Sequence, residues 1–263
     1  MYRIIPQPSF SLGPVTIYWY GICIITAIVI GYLIALRRAK IYGIATYHLE
    51  NLFILTTLAG LAGARLYHVI LEWGYYSRDP AEIINLRAGG LAIHGAILGA
   101  LIVLILYARK TKIPLLPICD LTAPSLALGQ AIGSWGNFFT QELYGKPTDL
   151  PWKIYIEPAH RLPEYYYVNY YHPTFLYESL LSLSAALLLF IISRKLQNKS
   201  PGLIFGLYCI CYGFIRFTME MIRIDDVAVL GPFKFAQLAS LVLIITGSIL
   251  IWKARARYQS QQN

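Results

Sequence analysis

Arg216, Glu220 and Arg223 stand at i, i+4 and i+7 in a largely apolar run, a spacing that puts all three on one face of a helix. A guanidinium is a permanent cation whose fork matches two phosphate oxygens. With Arg65, in another apolar run, these arginines point to a phosphate-bearing anion, for which a phospholipid headgroup is a natural guest. His94 is the group in their company that can take or give a proton near neutral pH. Asn137, Glu142, Glu178 and Tyr20 lie in or beside similar runs. Taken singly, each has a plainer reading. Arg216 with Glu220 reads equally as an ion pair holding helices together, and His94 as a packing histidine. Arg65 reads as a side chain reaching for the interface, and Tyr18 and Tyr20 as interfacial anchors.

The elements that must position these groups are membrane helices. The chain has 263 residues, of which 57% are hydrophobic and 13% charged, too apolar for an ordinary soluble domain. Apolar runs at about 16–36, 52–71, 89–108, 115–139, 174–193, 202–221 and 235–252 are long enough to cross roughly 30 Å of hydrocarbon as helices. The fourth holds Asp120 and Pro124, which leaves a broken or re-entrant segment open. The expected fold is therefore an all-α polytopic membrane protein of seven transmembrane helices in a single membrane domain, 1–263.

Charge placement orients it. The net charge of +9 is gathered in acid-free clusters after the first, third, fifth and seventh runs: Arg37, Arg38 and Lys40; Arg109, Lys110 and Lys112; Arg194, Lys195 and Lys199; Lys253, Arg255 and Arg257. Segments after the even runs mix both signs, as with Glu72, Arg78, Asp79, Glu82 and Arg87. Under the positive-inside rule this places the N-terminus outside and the C-terminus in the cytoplasm, and it argues against nucleic acid as the partner of the basic residues. No cleavable signal peptide is expected, because the basic residues follow the first apolar run. The four cysteines, Cys23, Cys119, Cys209 and Cys211, read as small buried hydrophobes and not as a metal site.

Residues 141–172, rich in proline and tyrosine, form the one long polar excursion and are expected as an extracytoplasmic cap between helices 4 and 5. Gly60, Gly63, Gly95 and Gly99 have the spacing of close helix packing. Apart from Asp120, the polar residues within spans all fall toward the outer ends, which is what a cavity opening to the outer leaflet requires. A transporter needs polar groups reaching the cytoplasmic side as well.

Six segments in order carry a resemblance to a family: WYG at 19–21, GARLYHV at 63–69, GGLAIHG at 89–95, IGSWGNFFTQELYG at 132–145, HPTFLYES at 172–179 and YGFIRFTMEMIR at 212–223. They resemble the bacterial prolipoprotein diacylglyceryl transferases. The resemblance implies transfer of the diacylglyceryl group of phosphatidylglycerol to the lipobox cysteine thiol of a preprolipoprotein signal peptide, forming a thioether and releasing glycerol 1-phosphate. It implies an enzyme of the bacterial inner membrane, active toward the outer leaflet, with no cofactor and no metal. It makes His94 the base for the thiol and Arg216 the phosphate clamp, with Tyr20 and Glu220 in the catalytic set. Asn137 and Gly145 follow from it as substrate-binding residues, and Arg65, Ser134, Glu142, Tyr212 and Arg223 are read with them as the rest of the substrate-binding set. Two residues depart from the family pattern: Ser134 stands where it has an arginine, and Thr140 where it has an asparagine. Arg65, Lys146 and Lys153 are the candidates to supply the missing charge. Ser134 also motivates a second reading, a weak or silent homologue that binds anionic phospholipid or lipoprotein signal peptides.

Overall fold

The structure, a computed structural model, describes residues 5–85, 89–196, 200–225, 229–230 and 233–260. Arg87, Lys199 and the last three residues of the polar tail fall outside them. Among the described residues, seven helices are long and apolar enough to cross a membrane.

The chain divides into two compact units, residues 39–118 and residues 1–38 with 119–263. In the first, helix α2 (Thr46–Leu71) is followed by a single turn α3 (Trp73–Tyr76), a 3-10 turn at Pro80–Ile84 and helix α4 (Ile93–Thr111). The expected glycine packing is present. A Cβ on Gly95 would overlap the Gly63 carbonyl, and one on Gly99 the Ala59 carbonyl, so α2 and α4 approach at backbone distance.

The second unit opens with a hairpin, β1 (Ser9–Leu12) paired antiparallel with β2 (Val15–Tyr18), turning at Gly13, whose φ is 61°. Helix α1 runs from Trp19 to Arg38, so the expected start at Thr16 is corrected to Trp19. Val15, Thr16 and Ile17 are apolar enough to extend the hydropathic run, yet their β-branched side chains beside a Gly-Pro turn favour a strand.

Helix α5 (Leu115–Thr140) starts in the first unit and runs unbroken through Pro124, so it is a full span. Asp120, the acid that raised the doubt, is 1% exposed. Its Oδ2 accepts from the Gly202 N–H at 2.6 Å and its Oδ1 from the Phe205 N–H at 2.7 Å. These are orphan donors at the start of helix α7 (Leu203–Ile222), whose own N-cap is a glycine with nothing to offer. Asp120 is thus a cap supplied from another helix. Arg38 works at the same end, donating to the Leu121 carbonyl at 3.1 Å and lying over the Phe190 ring at 5.4 Å.

Helices α6 (Thr174–Leu196) and α8 (Phe235–Ser260) complete the spans, with a strand pair β5 (Val229–Leu230) and β6 (Phe233–Lys234) before α8. Helix α8 outruns its apolar segment by two turns because Lys253, Arg255 and Arg257 end the hydrophobic run without breaking the helix.

Candidate functional site

The end of α5 and the segment after it build the frame. Gln141 and Leu143 both adopt left-handed backbone conformations, with φ of 55° and 54°, which turns the chain sharply off the helix. The Glu142 N–H donates back to the Asn137 carbonyl at 3.2 Å, and Gln141 Oε1 accepts from the Glu157 N–H at 2.7 Å. Residues 141–172 then fold as a compact insertion. Strands β3 (Ile154–Tyr155) and β4 (Tyr170–Tyr171) pair, and 3-10 turns start at Pro158 and Pro163. Its core is Tyr144, Ile156 and Tyr171. Tyr144 donates to the His160 carbonyl at 2.8 Å and Tyr171 to the Tyr165 carbonyl at 2.8 Å. Burial pushes both phenols above their ordinary range, so they stay protonated donors. Tyr171 is therefore a core residue of the insertion, whereas Tyr166 and Tyr167 face outward, as interfacial tyrosines would.

Gly145 joins this insertion to two helices. Its N–H donates to the His172 carbonyl at 3.0 Å, and the next residue, Lys146, donates to the Ile222 carbonyl at 3.0 Å. A Cβ at Gly145 would stand 2.8 Å from both His172 Cβ and Ile222 Cγ2. The glycine of the fourth motif thus lets the insertion, the start of α6 and the end of α7 meet backbone to backbone.

The charged groups gather at that junction. Arg216 Nη2 lies 2.6 Å from Glu220 Oε1, and Arg223 Nη1 3.8 Å from the same oxygen. Arg223 Nη2 also pairs with Glu178 of α6. Lys234 of β6 closes the group, with Nζ 3.6 Å from Glu220 Oε2, 3.9 Å from Asp225 Oδ1 and 2.8 Å from the Arg223 carbonyl, to which it donates. Three cations meet three carboxylates, so the cluster carries no net formal charge. An anion is therefore not drawn in by surplus charge; it must compete for a particular guanidinium. The side chains of Glu220 and Arg223 are 0% and 1% exposed, while that of Arg216 is 24% exposed. Arg216 is the arginine of this cluster that is partly exposed. Glu220 holds it in place, with Arg223 and Lys234 balancing the carboxylate.

The remaining residues of the expected set fall into three groups. Tyr20 packs its ring over Gly136 on α5, the residue before Asn137, and Trp19 stacks on Phe139 at 5.4 Å. Tyr212 stacks on Tyr208 at 6.0 Å, and Tyr208 in turn accepts from Gln130 Nε2 at 2.9 Å. Ser134 is 6% exposed and donates to the Gln130 carbonyl of its own helix at 2.9 Å, and Thr140 does likewise to Gly136 at 3.4 Å. Both departures from the family pattern are thus spent on local back-bonds.

The three expected substitutes for the missing charge differ in what holds them. Arg65 belongs to the other unit, is 7% exposed and gives its donors to backbone carbonyls. Lys146 is exposed, and Lys153 pairs with Asp149 at 3.1 Å. Arg65 is thus a buried group whose donors meet backbone carbonyls. His94, also in the unit of residues 39–118, stands in the first turn of α4 with its side chain exposed and its ring 6.1 Å from that of Tyr67.

Sequence reasoning missed Lys234. It is fourteen residues beyond Glu220, across a strand pair with no helical period to connect them, and only the fold shows the contact.

Comparison with known proteins gives a consistent picture. A family model described as prolipoprotein diacylglyceryl transferase matches residues 7–253. A protein of Thermosynechococcus vestitus named phosphatidylglycerol–prolipoprotein diacylglyceryl transferase is 42% identical over 243 residues, covering 92% of this chain and 90% of its own. Relatives of the same name from Synechococcus elongatus and Fervidobacterium nodosum are 42% and 41% identical, over 94% and 93% of this chain and 87% and 84% of theirs.

Proposed function

This chain belongs to the prolipoprotein diacylglyceryl transferase family, and from that premise we propose that it transfers the diacylglyceryl group of phosphatidylglycerol to the lipobox cysteine of a prolipoprotein. The reading rests on the family match across residues 7–253. The chemistry needs a base for the thiol and a clamp for the phosphate, roles that this reading gives to His94 and Arg216.

The substrate thiol gives its proton to His94. The thiolate attacks the glyceryl carbon that carries the phosphate oxygen, an S–C bond forms and the C–O bond breaks. Glycerol 1-phosphate leaves with the bonding pair as a dianion, and the proton on His94 passes to it or to water. Negative charge therefore grows on the phosphate oxygens during the step. Arg216, partly exposed and held by Glu220 at 2.6 Å, is the group assigned to stabilise that growth. The nucleophile comes from the other protein, so none of the four cysteines of this chain is needed. Tyr20 and Asn137, close on adjacent helices at Gly136, complete the contacts proposed for the lipid or the peptide.

Seven membrane helices make this a multi-pass membrane protein. The charge pattern supports the finer placement, an inner-membrane protein with the C-terminus in the cytoplasm and the reaction at the outer leaflet.

The test is release of glycerol 1-phosphate from phosphatidylglycerol on adding a lipobox peptide. Release should require the peptide thiol and vanish when serine replaces the peptide cysteine. His94→Gln should slow release severely at neutral pH and recover in part as pH passes about 8.5, where the thiol ionises unaided. Unchanged release by His94→Gln at neutral pH would remove His94 as the base.

A further inference from the structure

The Arg65 guanidinium is occupied in an unusual way for an arginine inside an apolar helix. Nε donates to the Ile83 carbonyl at 2.8 Å. Nη1 donates to Gly89 at 2.6 Å and Gly90 at 3.0 Å. Nη2 donates to Asn85 at 3.1 Å and to Glu82. A guanidinium has five N–H groups, and here each meets a backbone carbonyl. The Tyr76 ring covers the group at 5.0 Å. Among the described residues Arg65 has no carboxylate partner.

All five carbonyls belong to one connection, the stretch that leads from α3 into α4. Its two ends, Glu82–Asn85 and Gly89–Gly90, converge on a single cation. Gly90 has a φ of 74°, and a Cβ there would stand 2.5 Å from Arg65 Nη1 and 2.7 Å from His68 Cδ2, so the backbone closes directly on the guanidinium. Two residues later the Ala92 N–H donates to the carbonyl of Ala64, the neighbour of Arg65, at 3.1 Å. His94 follows in the first turn of α4. Arg65 therefore fixes the path by which the chain enters α4, and with it the place where the imidazole stands.

We propose that Arg65 is a positioning residue for His94, acting through the Gly89–Ala92 turn, and that it makes no contact with the lipid phosphate. The proposal rests on the reading of His94 as the group that accepts the thiol proton. A lysine at this position keeps the charge but has three N–H groups at one point, so it leaves at least two of the carbonyls unmet and the turn free to shift.

The two roles leave different marks. If Arg65 places the base, Arg65→Lys lowers kcat between roughly tenfold and a hundredfold, the range that small misplacements cost. KM for phosphatidylglycerol stays within about twofold, because uniform ground-state binding is untouched. The loss shrinks above pH of about 8.5, where the thiol needs no base. Groups acting as a unit are non-additive, so Arg65→Lys should cost nothing further in a His94→Gln background.

The experiment is this double-mutant cycle, assayed in membranes at two pH values. Beside it, diethyl pyrocarbonate modification of His94 is read by peptide mass spectrometry, with the exposed His160 of the other unit as the internal control. Arg65→Lys should change the modification rate of His94 and leave that of His160 alone. Gly90→Ala, which forces a Cβ against the same guanidinium, should give the same signature and stands in if Arg65→Lys fails to accumulate. A raised KM for phosphatidylglycerol at unchanged kcat, with losses that add to those of His94→Gln, would make Arg65 a phosphate contact and overturn the proposal. A folded Arg65→Lys with unchanged kcat and unchanged His94 modification would overturn it equally. Full activity of His94→Gln alone would instead remove the reading of the base, while the modification rate would still report on whether Arg65 places His94.

Discussion

Arg216 and Glu220 lie one helical turn apart with 2.6 Å between Nη2 and Oε1, and they differ in access: the arginine side chain is 24% exposed and the glutamate side chain 0%. The buried carboxylate fixes one nitrogen of the fork, and the arginine is the member of the pair left partly open. This division of labour separates what each residue should do when changed.

Arg216→Lys should keep the ion pair and lose the fork. A point-charge ammonium held by Glu220 has little left with which to grip two phosphate oxygens. The expected loss is about 1.4–3 kcal/mol of transition-state stabilisation, or roughly tenfold to a hundredfold in kcat/KM. Thermal stability should change little. Steady-state kinetics against phosphatidylglycerol, with a melting curve in detergent, check both. A variant as active as the parent would show that the fork is not the phosphate contact.

Glu220→Gln should damage the protein itself. The carboxylate stands among Arg216, Arg223 and Lys234, and Arg223 is as deeply buried as Glu220. Removing one partner of a buried pair costs about 3–5 kcal/mol, because the other charge is left uncompensated. The melting temperature should fall markedly below that of Arg216→Lys, with activity falling too. Equal stability of the two variants would contradict the supporting role given to Glu220.

Ser134 is the departure that raised the question of a weak homologue. Its hydroxyl proton goes to the Gln130 carbonyl, and the residue is buried. Ser134→Ala should therefore stay within about twofold of the parent, as expected for loss of a back-bond within one helix. Ser134→Arg should be neutral or mildly activating if the site keeps the phosphate geometry of its relatives. Transfer assays on the two variants side by side decide it, and an inactive Ser134→Arg beside an active parent would contradict that geometry.

Topology is open to direct measurement. A reporter fused at the C-terminus should read cytoplasmic and one inserted near Asp149 extracytoplasmic, following the four acid-free basic clusters. An extracytoplasmic reading from the C-terminal fusion would invert the orientation and with it the outer-leaflet site.

The seven spans were legible because bilayer thickness imposes a length and composition that hydropathy reads directly. The α7 cluster was legible because i, i+4 and i+7 spacing implies a shared face. What stayed hidden has no local signature. Lys234 meets Glu220 across a strand pair. Asp120 caps a helix that starts more than eighty residues later, so an acid that looked like a break in α5 is a brace for α7. The partners of Arg65 are backbone carbonyls, which every residue has and no sequence pattern marks. The first span was drawn three residues too long because a β-branched hairpin strand is as hydropathic as the start of a membrane helix.

Transfer of a diacylglyceryl group from phosphatidylglycerol to a peptide thiol leaves its record on the peptide. Its most direct test is the mass of a lipobox peptide after incubation with the purified protein and phosphatidylglycerol of defined acyl chains. The peptide should gain the mass of one diacylglyceryl group, held in a thioether on cysteine and tracking the acyl chains supplied. A peptide that binds the protein yet returns with its mass unchanged would contradict it.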